Sequence, residues 1–119
     1  MKYLCLIYAD EKVWQGLSKT EADTMVAEYM AFTAATRESG QFVGGNRLLP
    51  VESATTVRVR NGKLSATDGP FAETKEQLGG YYLVEARDLN EAIQIAARIP
   101  GARLGSIEVR PIAESHLNR

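Results

Sequence analysis

The most constraining feature of this 119-residue chain is Asn61-Gly62, set between Thr55-Thr56-Val57-Arg58-Val59-Arg60 and Lys63-Leu64-Ser65-Ala66-Thr67. Asn-Gly tolerates the positive φ angles of a type I′ turn, whose twist suits two antiparallel strands joined by two residues. The segment therefore predicts a β-hairpin. Side chains alternate across a strand, so Val57 and Val59 share one face and Arg58 and Arg60 the other, which is expected to be the wet one.

Around the hairpin the apolar periodicity alternates between strand-like and helix-like. Tyr3-Leu4-Cys5-Leu6-Ile7-Tyr8 reads as a buried first strand running into a polar loop at Asp10-Glu11-Lys12. Ser18-Lys19-Thr20-Glu21 has the reciprocal pattern of a capping box and predicts a helix over 19–38, ended by Ser39-Gly40. Ala22, Met25, Val26, Tyr29, Met30 and Thr33 are its expected core face. Residues 41–48 form a second strand in which Gly44-Gly45 points to a bulge or a close backbone approach, with Pro50 beyond it. Residues 78–86 are apolar on both faces and belong in the middle of a sheet. Asp88 then caps a second helix, with Leu89, Ala92, Ile93, Ala96 and Ala97 as its buried stripe and Ile99-Pro100-Gly101 as its stop. Ser106-Ile107-Glu108-Val109-Arg110 alternates as a last strand, and 113–119 is a polar tail.

The order β-α-β, hairpin, β-α-β is a ferredoxin-like pattern, an α+β fold with both helices on one face of an antiparallel sheet. Tyr, Leu and Val occupy both registers of the strands at 3–8 and 78–86, so the second face would leave an apolar patch in water. Pairing two such faces about a two-fold axis buries the patch and leaves a cavity between the sheets. The expected assembly is a homodimer of the dimeric α+β barrel type.

Composition removes several function classes. Lys plus Arg number 14 against 15 Asp plus Glu, and the charges are scattered, so nucleic acid is not an expected partner. No apolar run approaches the roughly 20 residues of a membrane helix. The single cysteine, Cys5, excludes an internal disulfide and points to a reducing, cytoplasmic setting. No metal is expected, because the lone His116 has no companions at ligand spacing. Gly44-Gly45 and Gly79-Gly80 match no phosphate-cradling motif, so no cofactor is expected.

The most distinctive stretch is Asp68-Gly69-Pro70-Phe71-Ala72-Glu73-Thr74-Lys75-Glu76. Together with Met1-Lys2-Tyr3-Leu4, Tyr8, the hairpin strand at 55–60, Leu78-Gly79-Gly80-Tyr81-Tyr82, Ile99-Pro100 and Gly105-Ser106-Ile107-Glu108-Val109-Arg110-Pro111, it resembles the YCII-related family, in its DGPF-domain branch. The resemblance covers residues 1–112 as one domain. It implies a ferredoxin-like protomer and a dimeric α+β barrel, and some relatives are encoded beside extracytoplasmic-function sigma factors. A His–Asp acid–base pair has been proposed for shorter members; here the only histidine, His116, lies in the tail beyond the resemblance.

Read from the residues, Asp68-Gly69-Pro70 is a turn in which the carboxylate accepts from nearby backbone N–H groups and Gly69 takes a positive φ. Alternatively the loop folds over the dimer cavity, with Asp68 as acid or base and Phe71 excluding water. Glu73, Lys75 and Glu76 either orient a polar ligand or keep the loop solvated. Asp10 and Trp14 wall a pocket or seal the edge of the core. Arg47, Arg58, Arg60 and Arg110 suit an anionic ligand or guard strand edges. Tyr8, Tyr81 and Tyr82 donate to a ligand or pack with satisfied hydroxyls. Two functions follow: a cofactor-independent enzyme or binder of a small polar organic ligand at Tyr8, Asp10, Arg47, Asp68, Phe71, Glu73, Lys75 and Tyr81, or a regulatory module that engages a sigma-factor-associated protein.

Overall fold

The structure, a computed structural model, describes residues 1–114. Strand β1 (Lys2–Ala9) leads into a short helix α1 (Glu11–Gln15), where sequence reading placed a polar loop. Asp10 starts this turn: its side chain accepts from the Lys12 N–H at 3.0 Å, so a carboxylate beside an uncommitted backbone made a helix cap. Helix α2 (Lys19–Glu38) begins at the expected capping box, with Ser18 and Glu21 bonded reciprocally at 3.1 and 2.9 Å. Strand β2 (Phe42–Arg47) follows, then the hairpin of β3 (Thr55–Arg60) and β4 (Lys63–Asp68). Strand β5 (Gln77–Glu85), helix α3 (Leu89–Ala97) and strand β6 (Ser106–Pro111) complete the chain, with Asp88 accepting from the Glu91 N–H at 2.9 Å.

The main sheet has the order β2-β5-β1-β6, and each neighbouring pair is antiparallel. Each long helix thus links two strands with a third lying between them, an α+β arrangement compatible with the ferredoxin-like pattern. The hairpin stands apart as its own two-stranded sheet. Its turn has Asn61 at φ 54° and Gly62 at φ 75°, the left-handed pair that Asn-Gly predicts.

Tyr3, Cys5 and Ile7 of β1 and Val84 of β5 pack against Phe32 of α2 and Ala92, Ile95 and Ala96 of α3, with Ile99 just beyond. The helical stripes agree with the expected ones in part: Met25, Ala92 and Ala96 are buried, and Ala22, Tyr29 and Thr33 half-buried. On α2 the buried positions are Met25, Phe32 and Thr36, while Val26 and Met30 are exposed. On α3 the row Ala92, Ile95, Ala96 faces the core, leaving Leu89, Ile93 and Ala97 exposed. Each helix carries apolar residues on more than one row, so periodicity alone left the choice to packing against the sheet. Tyr82 joins this core, its hydroxyl 2.9 Å from Thr33 Oγ1 and its ring edge-on to Phe32 at 5.0 Å.

Strand alternation assigns the other face. Leu4, Leu6 and Tyr8 of β1 lie opposite Leu83, Tyr81 and Leu78 of β5, and all six point away from the helices, where they are half-buried. The molecule is thin for its spread, 48 × 43 × 18 Å, with a radius of gyration of 16.3 Å. A compact chain of this length has about 13 to 14 Å. The excess comes from the hairpin, which extends from the body as an arm.

Candidate functional site

The open sheet face acquires polar groups at one end, where β1 and β2 finish and β5 and β6 begin. Gly79 is an extra residue between the pairs Ile7–Gly80 and Tyr8–Leu78, and a second irregularity in β2 falls between Phe42 and Gly44. Bulges of this kind re-aim side chains and terminate pairing, and they are frequent beside functional sites. Here Tyr81 donates its phenol hydrogen to Asn46 Oδ1 at 2.8 Å. Tyr8 lies between Leu78 and Ser106, and the Ser106 hydroxyl donates to Glu76 Oε1 at 2.8 Å. An apolar floor of Leu4, Leu6, Leu78 and Leu83 therefore ends in two phenols, an amide, a hydroxyl and a carboxylate.

The segment after β4 borders the same end of the sheet through Glu76. Gly69, at φ 109°, turns the chain, and its N–H donates to the Ala54 carbonyl at 2.7 Å. Thr56 Oγ1 donates to the Gly69 carbonyl at 2.9 Å, closing the base of the hairpin. Farther on, Thr74 Oγ1 donates to the Glu76 carbonyl at 2.6 Å and Gln77 Nε2 to the Thr74 carbonyl at 2.8 Å. Asp68, Glu73 and Lys75 all project into solvent. Phe71 is 81% exposed, with the Arg58 guanidinium 5.9 Å from its ring centroid.

The remaining sequence candidates lie elsewhere. Arg47 pairs in register with Gly80, which puts it on the helix side of the sheet, away from Tyr8 and Tyr81. Asp10 is engaged in capping α1. Trp14 leans on Tyr29 with centroids 6.3 Å apart, sealing the edge of the core. Tyr29 in turn accepts from the Gly101 N–H at 3.1 Å, and burial raises its phenol pKa against the lowering effect of that hydrogen bond. Burial also pushes the Cys5 thiol up to about 11, which keeps it protonated and a poor nucleophile near neutrality. His116 lies outside the described residues.

Sequence reasoning passed over Asn46 and Ser106. Each sits on a strand with its side chain on the open face, and their signal was register: Asn46 opposite Tyr81 and Ser106 opposite Tyr8. It also missed Glu11, whose carboxylate accepts from the Val51 N–H at 2.9 Å and fixes the approach to the arm. Two shallow grooves lie on the helix side. One of about 510 Å3 is lined by Gln41, Arg87, Gln94 and Arg98, and one of about 310 Å3 by Phe32, Thr36, Arg98 and Arg103. Neither contains a residue singled out from the sequence as a site. Among the described residues no three His, Cys, Asp or Glu side chains converge as a metal site would require, and no helix is long and apolar enough to cross a membrane.

Fold and face together define a class: an α+β protein of two interleaved βαβ units whose sheet has one helix-covered face and one open, polar-ended face. The family model for the YCII-related domain matches residues 1–116, and the chain belongs to the YCII-related family. An uncharacterized protein of Rhizobium meliloti (strain 1021) is 40% identical over 115 residues, spanning 95% of this chain and 93% of the relative.

Proposed function

We propose that this protein is a homodimer of the α+β barrel type that binds a small polar organic molecule between facing sheets, with Asp68 as an acid or base. The observation that carries the reading is the open face: an apolar floor ending in Tyr8, Tyr81, Asn46 and Ser106. Burying apolar surface stabilises by roughly 25 cal/mol per Å2, so a second sheet over this floor is strongly favoured. The enclosed space then has the usual anatomy of a small-molecule site, mostly apolar with a few convergent polar groups.

The available chemistry is proton transfer and hydrogen bonding. Tyr8 and Tyr81 supply phenols that donate to a ligand oxygen, and the Asn46 amide orients the Tyr81 hydroxyl. A carboxylate brought to the phenol end of this floor can exchange a proton with a ligand held there. The lone buried Cys5 fits a working place in the cytoplasm.

A regulatory module that engages a sigma-factor-associated protein would instead draw on the exposed hairpin, and one screen separates the two. Melting temperature is followed for the wild type, Asp68→Asn and Tyr81→Phe against panels of small carboxylates, phenols and phosphates, since a ligand that binds only the folded state raises it. The expected result is a compound class that shifts the wild type by several degrees and shifts both variants less. Equal shifts in all three proteins would remove Asp68 and Tyr81 from the site. No shift with any class would favour the regulatory reading.

A further inference from the structure

The arm is amphipathic in an unusual sense. Register puts Thr55, Val57 and Val59 of β3 on the same face as Asp68, Ala66 and Leu64 of β4. The opposite face carries Thr56, Arg58, Arg60, Lys63, Ser65 and Thr67. The polar face is the better covered one: Thr56 bonds to Gly69, Arg58 lies over Phe71, and both are half-buried. The apolar face points to solvent, with Val57 and Val59 each 59% exposed and Leu64 71%. Soluble strands bury the valines and wet the arginines, so this hairpin is inside out for a single chain. A two-stranded hairpin is also marginal by itself in water and needs a surface to lie on.

The same chain holds a second uncovered apolar strip, and the two match. On the arm the strip is two strands wide, Val57 with Ala66 and Val59 with Leu64. On the sheet it is also two strands wide, Leu4 with Leu83 and Leu6 with Tyr81. From Asp68 to Leu64, and from Tyr8 to Leu4, the chain advances four residues, about 13 Å at the rise of a strand. One end matches in chemistry too: the base of the arm brings a carboxylate, Asp68, to the end of the sheet bearing the Tyr8 and Tyr81 phenols, while Arg60 and Lys63 at the tip stay on the face turned to solvent.

We propose that each arm lies with its valine face on the open sheet of a second copy, so that Asp68 completes the candidate site of the partner rather than that of its own chain. This rests on the homodimer reading above and gives it a specific form: one wall of the ligand cavity is a sheet, and the opposing wall is the other protomer's hairpin. A two-fold arrangement makes the exchange reciprocal and closes the assembly at two copies. It also accounts for Asp68 standing in solvent in the single chain.

The test uses the full chain in two forms. Sedimentation velocity over a dilution series compares the wild type with the double variant Val59→Lys/Leu64→Lys, whose changes fall on exposed arm positions outside the core. The wild type is expected to be dimeric and the variant to dissociate with a constant at least tenfold higher. A variant that dimerises within twofold of the wild type overturns the arm contact while leaving the homodimer reading standing, whereas a wild type that stays monomeric overturns both. Independently, Leu64→Cys and Leu4→Cys proteins are prepared separately, mixed, allowed to exchange subunits and treated with a short bismaleimide. The native Cys5 is buried and leaves a low background. A cross-link that appears on mixing and exceeds that of either protein alone supports the proposal. Cross-linking confined to Leu64→Cys alone would mean that arms pair with arms, and no mixed product would mean that the arm does not reach the sheet; either result overturns the assignment.

Discussion

The four-stranded body and the β3–β4 arm use the same two-residue alternation and put it to opposite ends. In the body, Tyr3, Cys5 and Ile7 vanish under two helices and the odd face of β1 is sealed. In the arm, Val57 and Val59 repeat the spacing and cover nothing. The difference teaches that an alternating pattern specifies which residues share a face, while burial of that face is decided by what the rest of the chain, or another chain, places on it. The body is a finished fold with one face to spare, and the arm is an uncovered hairpin held by a short base at Ala54 and Gly69.

Substitutions of like chemistry in the two regions should therefore have unlike costs. Ile99→Ala, in the fully buried core, is expected to lower unfolding stability by about 2 to 5 kcal/mol in urea, the usual range for removing a large aliphatic side chain from a packed interior. A cost under about 1 kcal/mol, below that range, would show the body to be as loosely packed as the arm.

A smaller effect distinguishes the regions by pH. The Cys5 thiol has its pKa raised to about 11 from 9.0 because burial disfavours the thiolate. A raised folded value means that the stabilisation is complete below the unfolded pKa and is lost as pH climbs through the folded one. Urea stability of the wild type is thus expected to decline between about pH 9 and 11, and Cys5→Ala is expected to flatten part of that decline. Identical slopes in the two proteins would remove the thiol as the cause. The smallest expected change is Val59→Ala, which at concentrations where the protein is a monomer should alter stability by less than about 0.5 kcal/mol, as exposed positions do. If the same substitution proves costly in the monomer, the arm packs on its own body and the contrast fails.

Much of this architecture was legible in the residues, for reasons that differ by element. Ser18 with Glu21, Asp88 with Glu91 and Asn61 with Gly62 are local chemistry, complete within four residues, and each appears where the sequence placed it. The apolar runs of β1 and β5, apolar on both faces, gave the central strands. On α2 and α3 Met25, Ala92 and Ala96 are buried as expected, but Val26, Met30, Leu89 and Ile93 are as apolar as the residues that were buried, and long-range packing left them in solvent. Helix α1 was missed because its one strong signal, Asp10, also suits a loop. At the candidate site, Tyr8 and Tyr81 emerged from strand position, but Asn46 and Ser106 required the register of β2 against β5 and of β6 against β1. Arg47 was grouped with the phenols because nothing local tells which side of a sheet a residue near a bulge will take.

The position of β1 in the sheet has a consequence for biosynthesis. This strand leaves the ribosome well before its two neighbours, β5 and β6, which are encoded after residue 76. At 5 to 20 residues per second, the aliphatic run from Leu4 to Ile7 waits about 4 to 15 s for its first partner strand to be completed. During that interval it is a bare, sticky ribbon on the nascent chain, a target for chaperones and for neighbouring nascent chains alike. Growth temperature and translation speed are therefore expected to govern the yield of folded protein more than the stability of the finished fold does.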